Sequence, residues 1–231
     1  MNQRLSGVSD REATGLAREI MEASTLFLGR TSNLLRILSK HSPYLARWLL
    51  GFVAAVRQPN LGASSDVRLR NLATIKTSLV NECKYCATHT SIFGEALGLK
   101  TADIEALKGD RYRSSAAFSD REKAAIAWAE AMTLNTAKSD GAVWENMCKY
   151  FCEAEIVEIS LAAAMFNMIN RLNDSFWTEL ESEEYNRRQG NAVKGRSVEQ
   201  LEAYAGRFAA TGQMERERTR KAASRLAPLT P

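Results

Sequence analysis

Apolar residues recur along most of this chain at the three- and four-residue spacing of helices, and nowhere does a β-branched run alternate with polar residues between hairpin turns. The pattern predicts an all-α fold. Ser9-Asp10-Arg11-Glu12 has the form of a capping box and predicts a first helix to about Ala23. Leu34, Leu35, Ile37 and Leu38 mark a second helix. Ser42-Pro43 opens a third, through Leu45, Leu49, Phe52, Val53 and Val56, that breaks over residues 58–62. From a cap at Ser64 or Ser65, the positions Val67, Leu69, Leu72, Ile75, Leu79 and Val80 trace a fourth helix that ends at Asn81. A helix stopped by Gly98 follows, then a short one over Thr101 to Leu107 closed by Gly109. A second capping box, Ser119-Asp120-Arg121-Glu122, opens a helix through Ala125, Ile126, Trp128, Ala129 and Met132. Ser139-Asp140 starts another through Val143, Trp144, Met147 and Tyr150. Glu153 to Trp177 is apolar on most sides and therefore reads as the central helix.

Gly190 to Gly195 reads as a linker, and Ser197-Val198-Glu199-Gln200 as a third capping box before a charged run from Met214 to Arg225. The organisation expected is a main domain over 30–182, a helical extension over 1–29, and a basic, partly helical tail over 183–231. Of the net charge of +4, residues 186–231 hold ten Lys/Arg against four Glu, so the body is slightly acidic. The tail interleaves Glu and has few aromatics, which fits a solvated or oligomer-contacting helix better than a nucleic-acid surface. The longest apolar run, Trp48 to Val56, spans nine residues between two arginines, against roughly 20 needed to cross a bilayer. With no apolar leader-like stretch at Met1 to Gly15, the expectation is a soluble, cytoplasmic protein without membrane contact.

The chemistry concentrates in Asn81-Glu82-Cys83-Lys84-Tyr85-Cys86-Ala87-Thr88-His89-Thr90, which holds two of the four cysteines and one of the two histidines. In a reducing compartment, two cysteines at C-x-x-C spacing are catalytic or metal-binding more often than structural. On a helix, positions three and six apart advance by about 300° and 600°, so Cys83, Cys86 and His89 share one face. If the helix starts near Asn81, Cys83 lies in its first turn, where free amides favour a thiolate, and Cys86 leans on His89. Such a dithiol reduces a peroxide through a sulfenic acid and a disulfide. The spacing alone leaves two other readings open: three ligands of a zinc that lacks a fourth, and two small residues packed in a core.

The run Arg70 to Thr90 resembles the core of the carboxymuconolactone decarboxylase and AhpD-like alkylhydroperoxidase superfamily, in a C-x-x-C-x-x-H form. His41-Ser42-Pro43 before it, Phe118 to Ala125 after it, and the segments Glu153 to Ile159 and Phe166 to Asp174 are similar to further elements of that family. The resemblance covers about 30–180. It implies an AhpD-like bundle of orthogonal helices, assembly into a homo-oligomer, trimer or hexamer, and peroxiredoxin-type alkylhydroperoxidase activity. On that pattern Cys86 is the peroxidatic cysteine, Cys83 resolves it, and His89 relays protons. No cofactor or metal is implied. A small hydroperoxide is the substrate, and an external dithiol, such as a lipoyl group, reopens the disulfide. Two positions depart from the family: His89 follows Cys86 by three residues instead of four, and Asn71 stands where the family has its relay Glu. Asn cannot titrate, which makes the neighbouring Glu82 a candidate substitute. A decarboxylase-branch lyase or isomerase acting on a small carbon acid, and a non-catalytic thiol redox sensor or binding protein, are the alternative functions.

Other residues carry less. Cys148 and Cys152, four apart among aromatics, read as packing more than as a second redox pair. His41 reads as a turn residue. Trp128, Trp144 and Trp177 read as core, and Asn167, Asn170, Asn173 and Asp174 as polar groups that an apolar helix must pair.

Overall fold

The computed structural model describes residues 2–59, 61–190 and 198–206, and among them there is no strand. Ten α-helices follow one another: α1 (Gly15–Leu28), α2 (Asn33–His41), α3 (Pro43–Arg57), α4 (Val67–Val80), α5 (Lys84–Ala96), α6 (Thr101–Ala106), α7 (Asp120–Thr133), α8 (Gly141–Tyr150), α9 (Glu153–Phe176) and α10 (Glu183–Arg187). A further helical stretch spans 198–206. The linker and the charged run near the C-terminus lie outside the described residues, apart from Gly190 and the start of the last helix. No described helix is long and apolar enough to cross a membrane.

The helix pattern holds, with shifts at the starts. Ser9 and Glu12 do exchange capping-box hydrogen bonds, but these close a single turn, and α1 begins at Gly15 and runs on to Leu28. Asp66, not Ser64 or Ser65, caps α4 by accepting from the Arg68 amide. The two serine amides instead donate to Glu158 on α9. Ser119 and Glu122 form the expected capping box of α7, and Asp140 caps α8.

The centre of the molecule is α4, not α9. It packs against α3, α5, α7 and α9, and every residue from Leu69 to Ser78 is buried, six of them polar. These polar groups are paired internally. Arg70 donates to the carbonyls of Val56, Ser65 and Gln58. Lys76 Nζ meets Glu130 Oε1 at 2.7 Å, and Ser78 Oγ donates to the Thr74 carbonyl. Burial without loss of hydrogen bonds is what allows a polar helix to lie inside. Conversely, α9 leaves Val157, Leu161, Ala164 and Met168 exposed at four- and three-residue steps, an apolar stripe along its outer side. The tryptophans also depart from expectation: Trp128 donates to Ser160 and packs at a tilt against Trp144, while Trp144 and Trp177 are exposed at the surface.

The N-terminal segment is part of this packing. Leu16, Ile20 and Phe27 of α1 share an apolar cluster with Leu35 of α2, Ala46 and Leu50 of α3, and Tyr204. The junction of α4 and α5 is tighter still. A Cβ placed on Gly94 would fall 2.9 Å from Asn71 Nδ2, 2.8 Å from Leu99 Cδ1 and 3.1 Å from Ile75 Cδ1. Gly94→Ala is therefore expected to destabilise the protein by about 1–3 kcal/mol through overpacking. The check is the midpoint of chemical unfolding, and an unchanged midpoint would mean that α5 is not pressed onto α4.

Candidate functional site

A left-handed turn separates α4 from α5. Glu82 adopts φ 56°, and the Cys83 amide donates to the Ser78 carbonyl at 3.1 Å. Helix α5 consequently starts at Lys84, with Cys83 as its N-cap instead of in its first turn. Cys86 is the third residue of α5, where the free first-turn amides favour negative charge. Both thiols are free and buried. Helix α9 holds them from behind: Cys83 Sγ lies 3.8 Å from the Asn170 carbonyl, and Asn173 Nδ2 donates to Cys86 Sγ at 3.2 Å. The hydrogen bond with Cys83, together with burial, pushes the Cys86 thiol up, while the Asn173 contact opposes this. In the resting protein Cys86 is a thiol.

Cys86 and His89 both line a cavity of about 80 Å³, whereas Cys83 stands behind Cys86 and is not part of its wall. Helices α2, α3, α5 and α9 enclose it, with apolar side chains such as Leu34, Leu38, Val53 and Ile169.

A carboxylate the sequence did not single out organises the far side of the histidine. Glu181 accepts from the Asn33 amide at the start of α2, from Tyr85 Oη at 2.7 Å and from His89 Nε2 at 2.8 Å, with Arg30 Nη1 at 3.4 Å. Burial works against ionising Glu181, but His89, Arg30 and the Asn33 amide outweigh it and hold the carboxyl at about 2. Burial, aided by the charges of Arg30 and Arg57, outweighs the pull of Glu181 on the imidazole and brings His89 down to about 4. At neutral pH the ring is therefore neutral. Its Nε2 must carry the proton, because its partner is an ionised carboxylate, and Nδ1 keeps its lone pair. The Tyr85 ring sits edge-on to the imidazole, 4.1 Å between centroids, and limits its rotation.

The other candidates lie elsewhere. Asn71 is buried between α4 and α5, its Nδ2 3.5 Å from the Thr90 carbonyl, and is not in the cavity wall. Glu82 is exposed at the turn, where its positive φ points to a conformational role. His41 is exposed and bonds to the Ser6 carbonyl. Cys148 and Cys152 are both exposed free thiols. Asn167 and Asn170 bond across to α4 and its end, through Asn81, Ser78 and Thr77, whereas Asn173 serves Cys86. Among the described residues no group of three His, Cys, Asp or Glu is arranged to hold a metal ion.

No protein-family model and no curated protein matches this chain. Solved structures match it at low identity. The apo debrominase Bmp8 is 20% identical, with a TM-score of 0.68 over 84% of this chain and 100% of that one. A cysteine-to-alanine variant of Bmp8 in complex with 2,3,4-tribromopyrrole matches at 19% identity and the same TM-score, over 84% and 99%. An uncharacterized peroxidase-related protein from Ralstonia eutropha JMP134, described as an alkylhydroperoxidase AhpD core, is 15% identical with a TM-score of 0.66, over 80% and 96%. The chain has the AhpD-like fold.

Within this AhpD-like fold, Glu181, Arg30, Arg57 and Gln189 are among the site residues that sequence reasoning passed over. Glu181 sits in the run Glu179-Leu180-Glu181-Ser182-Glu183-Glu184, which has the composition of a solvated edge, and Arg57 closes an apolar helix as an ordinary last-turn cation. His89 is expected to titrate near pH 4 in the folded protein, against about 6.5 unfolded. The unfolded chain takes up this proton first, so the contribution to stability is complete above about pH 6.5 and is lost as the pH falls toward 4. An NMR titration of the imidazole Cε1–H signal measures the midpoint, and a value near 6.5 would put the ring in water.

Proposed function

We propose that the protein is a dithiol peroxidase that reduces small organic hydroperoxides at Cys86. The observation that carries this reading is the order of the groups: Cys86 lines the cavity, and Cys83 lies behind it in the same buried cluster. A substrate in the cavity meets Cys86 first. His89 accepts the Cys86 proton at Nδ1, and Glu181 stabilises the imidazolium so formed. The thiolate attacks the distal peroxide oxygen, breaking the O–O bond. Cys86 becomes a sulfenic acid, and the leaving alkoxide takes the proton back as an alcohol. Cys83 then attacks the sulfenic sulfur, forming the disulfide and releasing water. An external dithiol, of which a lipoyl group is the candidate, returns both thiols to the reduced state and is itself oxidised to a disulfide. No cofactor is needed. Asn71 takes no part in this scheme, since the Glu181–His89 pair fills the role the sequence sought at positions 71 and 82.

The structural likeness to a debrominase supports a second reading. The same dithiol supplies the two electrons that replace a carbon–bromine bond by carbon–hydrogen: Cys86 takes up the bromine, Cys83 displaces bromide, and the disulfide results. Both reactions end at the same disulfide and differ in the product released.

The test is to add one equivalent of cumene hydroperoxide to reduced protein and map the thiols by mass spectrometry. A Cys83–Cys86 disulfide is expected, with a sulfenic acid trapped in Cys83→Ser and no reaction in Cys86→Ser. His89→Gln is expected to slow the step by about 10²-fold or more. Two free thiols after peroxide would rule the peroxidase out, and bromide release from a brominated aromatic would select the second reading. Turnover of a carbon acid that survives Cys83→Ser would favour a lyase.

The exposed stripe on α9 supports assembly into a homo-oligomer through Val157, Leu161 and Met168. Leu161→Glu is expected to shift the protein to monomer in analytical ultracentrifugation, and an unchanged sedimentation coefficient would show that the stripe is not the contact.

A further inference from the structure

Arg57, the half-buried last residue of α3, lines the Cys86 cavity, and no described carboxylate pairs with its charge. It makes no ion pair and no hydrogen bond among the described residues, and its Nε and Nη2 are enclosed without a partner. The fully buried arginines each have a carboxylate or carbonyl partner. Arg70 donates to three backbone carbonyls, Arg30 pairs with Glu181, and Arg47 pairs with Glu19. Among the described residues two aromatic faces accompany Arg57, those of Phe93 and Phe166, at 4.4 and 5.7 Å from its Cζ. A cation–π contact offsets a fraction of what burying a guanidinium costs. Burial and the charge of Arg30 push Arg57 down to about 9, so it remains a cation at neutral pH. A second unused donor stands in the same wall: Gln189 Nε2 is buried without an acceptor. The remaining wall is dominated by leucine, valine, isoleucine and phenylalanine.

An apolar chamber with one uncompensated cation and a spare donor is complementary to an amphipathic anion. We infer that the cavity binds a molecule with an apolar body and an anionic head, of the alkyl- or aryl-carboxylate class, its carboxylate paired with Arg57. This rests on the peroxidase reading only in taking the cavity at Cys86 as the substrate's place. There, the natural hydroperoxide is one that bears a carboxylate. Arg57 selects that ligand, and the leucines hold its body. The competing assignment makes the Cys86 thiolate itself the counter-charge of Arg57, in which case charge on the ligand is irrelevant.

Calorimetric titration of the reduced full-length chain with octanoate and with octanol separates these, because neither probe reacts with a thiol. Octanoate is expected to bind at least about tenfold more tightly than octanol, and Arg57→Met to lose that difference while binding octanol as before. Arg57→Lys, which keeps the charge without the planar fork, is expected to fall between them. If Arg57→Met fails to fold, the unaltered protein decides alone. Octanoate must then outbind octanol and slow alkylation of Cys86 by iodoacetamide. Equal affinity for the two probes, no binding of octanoate, or octanoate binding that survives Arg57→Met overturns the inference. Each of these results is independent of peroxide turnover, so the carboxylate site and the peroxidase reading fail or stand separately.

Discussion

A buried carboxylate must be given hydrogen bonds or it will not stay ionised, and Glu181 obtains them from three separate parts of the chain. Arg30 comes from the loop after α1, the Asn33 amide from the first turn of α2, and Tyr85 and His89 from α5. The N-terminal helices, the cysteine helix and the segment after α9 are thereby tied to one ion. Removing a partner from such an ion typically costs about 3–5 kcal/mol, so these segments are bound to one another's placement. The histidine's tautomer follows from the same carboxylate. Since Glu181 can only accept, His89 must donate from Nε2, and its other nitrogen is left basic on the residue that shares a cavity wall with Cys86.

The site and the core obey one rule in opposite ways. Helix α4 buries six polar side chains among Leu69 to Ser78, and the arginine, lysine and serine among them are paired, so the helix serves as a polar axle around which α3, α5, α7 and α9 pack. Around Cys86 the pairing is incomplete. The thiol is kept protonated by Cys83 and by burial, the imidazole is kept neutral by burial, and the Arg57 guanidinium has no hydrogen-bond or ion-pair partner among the described residues. Thiol and imidazole are thus both neutral in the wall of one cavity, beside a guanidinium that no described carboxylate pairs. Glu181 faces the imidazole, and the free first-turn amides of α5 lie at Cys86.

Backbone geometry fixes which cysteine faces the cavity. The left-handed turn at Glu82 ends α4 and sets Cys83 at the N-cap of α5, beneath the first turn, while Cys86 projects from that turn into the open space. The i to i+3 spacing that brings a capping side chain to the third helical residue brings the two sulfurs together here. Gly94, further along α5, lets the helix approach Asn71 and Ile75 closely enough to hold this arrangement. Asn71 consequently acts as packing and hydrogen-bonding support for α5.

Sequence periodicity determined the all-α class, the order of the main helices, and the grouping of two cysteines with a histidine at the start of one helix, because each of these depends on residues close together in the chain. Helix starts were less legible: Ser9 and Glu12 formed their capping bonds without a helix behind them, and the serines before α4 gave their amides to Glu158, a residue 93 and 94 positions away. Tertiary structure decided what depends on distant partners. It put the polar helix α4 inside and left an apolar stripe of α9 outside, since burial follows whether hydrogen bonds are met, and hydropathy does not report that. It brought Glu181 to His89 across 92 residues, and it buried Nε and Nη2 of Arg57 with no counter-charge among the described residues. Neither residue differs in sequence from a surface charge, and only the surrounding packing removes the water that would otherwise make it one.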